Sequence, residues 1–100
     1  MNLYKDTHIY ILAPANTSTG GPECLHQLAK GLKEIGLNVF MYYLPTDNSE
    51  PIHKEYLHYE IPFIKNIDDS EKNILIVPEL YNYIIKLKEF KKIQKIIWWL

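Results

Sequence analysis

His8-Ile-Tyr-Ile-Leu-Ala-Pro-Ala-Asn-Thr-Ser-Thr-Gly-Gly-Pro-Glu-Cys-Leu25 runs on amphipathically to Gly36 and restarts as Asn38-Val-Phe-Met-Tyr-Tyr-Leu44; it reads as strand, glycine-bearing loop, helix and strand. The apolar run Ile9 to Ala13 ends at Pro14, and a polar loop then carries Gly20 and Gly21. Pro22 suits the first turn of a helix, where a missing N–H costs nothing. Leu25, Leu28, Ala29, Leu32 and Ile35 recur at i, i+3, i+4, i+7 spacing, which predicts a helix over Pro22–Ile35 with one stripe against a sheet; Lys30, Lys33 and Glu34 fall outside that stripe. Gly36 is placed to take the left-handed conformation of a helix C-cap.

Working outward, residues 45–60 are dense in turn formers from Pro45 to Pro51, and His53–Tyr59 is long enough for one or two helical turns. Ile61–Ile67 reads as a short edge strand, with Pro62 near its start where the lost N–H is tolerable. Asn73-Ile-Leu-Ile-Val-Pro78 is a continuous apolar run of the kind buried in a parallel sheet. Glu79 to Phe90 predicts a second helix with Leu80, Ile84 and Leu87 on one face, and Lys95 to Leu100 a last strand whose Trp98 and Trp99 point to opposite faces and pack in the core. Strands alternating with amphipathic helices imply right-handed crossovers, hence an α/β, Rossmann-like three-layer α/β/α domain over residues 1–100 with a mainly parallel sheet of four to five strands. The apolar ending Ile96-Ile-Trp-Trp-Leu100 reads as a domain truncated at its C-terminus.

Composition narrows the function classes. The 11 basic residues are all lysine and are balanced by 12 acidic ones, for a net charge of −1; there is no field for nucleic acid and no arginine fork for phosphate or guanine. Cys24 is the only cysteine, which excludes an intramolecular disulfide and a thiolate zinc site; it is expected to be buried or half-buried on its helix. No signal peptide or membrane-spanning run is evident, so a cytoplasmic, soluble or membrane-peripheral protein is expected. Lysines 86, 88, 91, 92 and 95 form the one concentration of charge, read as a solvated helix end or a contact with an anionic membrane surface. His8, His26, His53 and His58 show no metal spacing and are expected to face solvent or lie in loops.

In open α/β sheets ligands bind in the crevice beyond the carboxyl ends of the strands, which makes the loop before Pro22 the leading functional candidate. Gly20 and Gly21 allow close approach of a sugar, a phosphate or another backbone, or else simply serve a tight turn. Glu23 either offsets the helix dipole or accepts a sugar hydroxyl, and its charge discourages a phosphate at this helix end. Asn16, Thr17, Ser18 and Thr19 are candidate hydroxyl partners or helix caps. Glu79, directly after the strand ending at Pro78, is a candidate acceptor or base and equally a helix-start carboxylate. No serine, histidine and acid set can be assembled, so no catalytic residue is assigned, and no metal or cofactor site is expected.

Read together, the strand ending at Ala13-Pro14, the loop Gly20-Gly21-Pro22-Glu23, the helix with Leu28-Ala29-Lys30-Gly31-Leu32, Gly36 and the strand Asn38-Val39-Phe40 resemble the N-terminal start of glycosyltransferases with two Rossmann-like domains, the GT-B fold of bacterial capsular and lipopolysaccharide (polysaccharide) biosynthesis. The resemblance implies an acceptor-side domain that is inactive alone. A C-terminal domain not contained here would bind the nucleotide-sugar donor, and the acceptor would be a glycan or a lipid-linked sugar. It further implies that Gly20 and Gly21 are binding residues at the interdomain cleft and that Glu23 belongs to the same loop; Thr19, Glu23 and Glu79 are substrate-binding candidates from their own positions in the chain. The rival expectation is a single-domain flavodoxin-like or response-regulator-like binding module; against the latter, the first strand leads into Pro14-Ala15-Asn16 rather than a cluster of acids.

Overall fold

The first strand, β1 (His8–Pro14), is apolar on both sides because it lies at the middle of a sheet. The computed structural model describes residues 3–18 and 20–98, apart from the side chain of Tyr81. After β1 come α1 (Gly20–Glu34), β2 (Asn38–Leu44), a 3-10 helix (Lys54–Tyr59), β3 (Ile74–Pro78), α2 (Tyr81–Lys86) running into a 3-10 turn (Leu87–Glu89), and β4 (Gln94–Trp98). The four strands form one parallel sheet in the order β2-β1-β3-β4. This is a Rossmann-like three-layer α/β/α domain.

Alternation along the strands builds two cores. Ile9, Ile11 and Ala13 join Val39, Met41, Tyr43, Ile74 and Ile76 beneath Leu25 and Ala29 of α1. On the other face Tyr10, Leu12, Tyr42, Leu75 and Val77 are covered by Ile64, Ile67, Tyr83, Leu87 and Phe90. Leu25 is fully buried, a burial that stabilises by roughly 1.5–3 kcal/mol for such a side chain.

Helix α1 begins at Gly20, two residues before the expected Pro22, because a proline is accommodated anywhere in the turn whose amides have no helical partner. Its end is as expected: Gly36 sits at φ +95°, and the N–H of Gly36 and of Leu37 donate to the carbonyls of Lys33 and Leu32, a Schellman closure. Ile35 belongs to the frayed end and is 73% exposed, so the apolar stripe stops at Leu32.

The segment after β2 departs most from expectation. The predicted strand 61–67 shrinks to a single parallel bridge between Phe63 and Met41, with the Met41 N–H donating to Pro62 O (2.9 Å) and the Ile64 N–H to Met41 O (3.0 Å). Pro62 itself has no N–H for a further rung. This rudimentary fifth strand lies outside β2, giving the sequence order 3-2-1-4-5 when counted with the sheet.

Helix α2 is half the expected length, and Leu80, outside it, is 55% exposed; Tyr83 and Leu87, rather than Leu80, Ile84 and Leu87, carry the packing face. Strand β4 is an edge strand, and Trp98 is 38% exposed instead of lying in the core; Trp99 is outside the described residues. Cys24 is exposed, on the side of α1 away from the sheet stripe. At the amino edge, buried Asn73 ties three segments: its Oδ1 accepts from the His8 N–H (2.9 Å), its Nδ2 donates to Asp68 O (3.0 Å), and its carbonyl accepts from the Gln94 N–H (3.0 Å).

Candidate functional site

Helix α1 packs on one face of the sheet and α2 on the other, so the chain leaves β1 and β3 in opposite directions at their carboxyl ends. Between these neighbouring strands the diverging connections leave a crevice of about 260 Å³, lined by Pro14, Gly21, Pro22, Leu25, Pro78, Glu79, Leu80 and Tyr83. A switch in crossover direction is where open α/β sheets hold their ligands.

Two of the sequence candidates therefore meet. Gly21, in the first turn of α1, and Glu79, directly after β3, line the same cavity although 58 residues separate them. Gly20 lies one residue before Gly21, in the helix rather than in a loop, and is not a lining residue. A Cβ built on Gly20 would meet nothing within 4 Å, so the local backbone makes no steric demand for glycine there. Thr19 lies outside the described residues.

Glu23 is turned elsewhere. Its Oε1 accepts hydrogen bonds from Gln27 Nε2 and from Tyr59 Oη, both at 3.0 Å, which fastens the 3-10 helix to α1. Lys30 Nζ stands 5.8 Å from the centre of the Tyr59 ring. Desolvation, followed by the bond to Glu23, raises the Tyr59 phenol above its ordinary range.

The β1–α1 loop is held by its own polar groups. Asn16 adopts φ +46° and its N–H donates to Pro51 O (2.7 Å); Thr17 Oγ1 donates to Ala15 O (2.9 Å), and Ser18 Oγ donates to the Glu55 carboxylate. Both hydroxyl hydrogens are thus engaged within the protein. Beyond this loop lies a more polar recess of about 590 Å³, lined by Asn16, Glu50, Ile52, His53, Lys54 and Leu57. Its walls come largely from the excursion between β2 and β3 rather than from the ends of the central strands.

Sequence reading also misplaced His26. It is buried, not solvent-facing: Nδ1 donates to Pro22 O at 2.6 Å, Nε2 lies 2.7 Å from Tyr43 Oη, and the ring stacks on Tyr56 with centroids 4.0 Å apart. Burial lowers its pKa, so the imidazole is neutral, with the proton on Nδ1 and Nε2 accepting from the phenol. Burial also pushes the Tyr43 phenol far up. Its position one residue after Leu25 was the available signal: His26 extends the buried stripe sideways, and only the fold brings Tyr43 and Tyr56 to it.

Among the described residues no group of three or more His, Cys, Asp and Glu side chains converges as a metal set, and no helix is long and apolar enough to cross a membrane. No protein-family model matches the chain, and comparison with curated proteins and with solved structures gives no match.

Proposed function

We propose that this chain is the acceptor-side Rossmann-like domain of a glycosyltransferase that moves a sugar from a nucleotide-sugar donor to a glycan or lipid-linked acceptor. The observation that carries the reading is the crevice itself, where the turn bearing Gly21 and the turn bearing Glu79 face each other at the carboxyl ends of β1 and β3. On a fold that hosts many activities, the site must carry the argument. A neutral, hydroxyl-bearing acceptor suits a cavity whose one charged lining residue, among those described, is Glu79. The donor diphosphate would be held by a second domain, and the acceptor oriented here, so that catalysis rests on positioning and on electrostatic support of the leaving group.

The flavodoxin-like alternative is disfavoured by strand order. The four strands alone, 2-1-3-4, suit either topology, but the bridge at Phe63 lies outside β2 and converts the order to 3-2-1-4-5, that of the dinucleotide-type sheet. Calorimetric titration of the chain with UDP-glucose and with flavin mononucleotide tests both. No tight binding of either is expected; micromolar or tighter binding of the nucleotide sugar would overturn the division of labour, and binding of flavin mononucleotide at that level would establish the alternative.

A further inference from the structure

The crevice at the β1/β3 switch point is unlike an anion site. Of the eight described residues that line it, three, Pro14, Pro22 and Pro78, have no backbone N–H to offer. Leu25, Leu80 and Tyr83 supply most of the rest of the wall, and among the described residues no lysine or histidine lines it and Glu79 is the one charged residue that does. A phosphate would meet a carboxylate and few donors, and would lose its hydration without repayment. About 260 Å³ exceeds the roughly 150 Å³ in which an apolar cavity holds benzene, leaving room for one ring and a polar substituent.

We infer that the crevice selects an uncharged amphiphilic alcohol: an apolar body about the size of one ring, seated among Leu25, Leu80 and Tyr83, with a hydroxyl donating to the Glu79 carboxylate. This deepens the acceptor reading above and rests on it for biological meaning, yet the binding preference is set by the cavity alone. The two strand-ending prolines are central to it. They close β1 and β3 and contribute no amide donor to the cavity they line, unlike the phosphate-binding turns that α/β sheets often carry in the same place.

The test is titration of the isotopically labelled chain at pH 7, followed by amide and side-chain NMR, with phenyl β-D-glucopyranoside, methyl β-D-glucopyranoside and phenyl phosphate. The expected result is saturable shifts at Gly21, Leu25, Leu80 and Tyr83 with the phenyl glucoside, binding at least tenfold weaker for the methyl glucoside, and no shifts at these residues with phenyl phosphate. Glu79→Gln should weaken the phenyl glucoside severalfold, and Leu80→Ala, at a half-exposed position that folding tolerates, should do the same. Binding of phenyl phosphate in the crevice, equal binding of the two glucosides, shifts confined to other residues, or silence from all three probes would each overturn the inference. Binding as described, together with no sugar transfer by a longer polypeptide that carries the donor-binding domain, would sink the transferase reading and leave this one standing.

Discussion

The imidazole of His26 lies almost flat on the ring of Tyr56, 18° from parallel at a centroid distance of 4.0 Å, while its Nε2 meets the Tyr43 hydroxyl 2.7 Å away. One helix, one strand and one 3-10 turn are thereby joined through a neutral ring whose two nitrogens both have partners. The same carboxyl-edge region carries the crevice, since the Pro22 carbonyl that accepts from His26 belongs to a residue lining it.

Protonating His26 should loosen this junction. Its pKa is lowered in the folded state, so below the unfolded value of about 6.5 the unfolded chain takes up a proton that the folded chain refuses. Stability is therefore complete above that pH and falls as pH drops through it toward the lower folded value, by at most about 1.4 kcal/mol per pH unit. Urea denaturation at pH 7.5 and 5.5 should show the loss, and His26→Gln should remove most of it. An unchanged pH dependence in that variant would refute the assignment.

Tyr43→Phe should cost about 1–3 kcal/mol, since it leaves the buried Nε2 of His26 without its donor while hardly changing packing volume. Chemical denaturation measures the cost. The double variant with His26→Phe should be less destabilised than the sum of the singles, because the second change removes the orphaned acceptor.

Gly36→Ala and Gly20→Ala should differ in sign or nearly so. The first forces a Cβ into φ +95° and should destabilise by about 1 kcal/mol or more. The second adds a methyl in open space at the start of α1, where alanine costs no contact and restricts the unfolded chain, so thermal denaturation should show no loss of stability.

Asp69→Ala should unlatch the entry to β4. The Asp69 carboxylate accepts the N–H groups of Lys91, Lys92 and Ile93 at 2.8–2.9 Å, and these bonds hold its pKa below the usual carboxylate range. Hydrogen exchange at Ile93 and Ile96 should accelerate at neutral pH. In the parent protein the same acceleration should appear only as pH falls below about 3.9, where the unfolded carboxylate takes up its proton first.

The parts of the fold legible in the sequence were those set by local rules. Strand β2, the Gly36 cap and the turn of helix within 53–59 lie where period, capping and turn chemistry placed them. The long helix predicted from Glu79 was not legible, because Leu80, Ile84 and Leu87 satisfy a helical period whether or not a sheet lies beneath all three. The site was half legible: Gly21 and Glu79 could be marked as crevice residues from their places after strands, whereas the engagement of Glu23 by Tyr59 and Gln27 required knowing where the 3-10 helix docks.

Strand and helix periods along 100 residues are enough to dictate an alternating α/β chain and a parallel sheet, because each element must bury its apolar side and parallel neighbours need crossovers. Which side each crossover takes, and so where β1 and β3 part to leave a cavity lined in part by prolines, was decided by the tertiary structure alone. The same packing swung His26 from an expected surface position into a tyrosine cage, since contacts between residues 17 and 30 positions apart depend on chain path and not on local pattern.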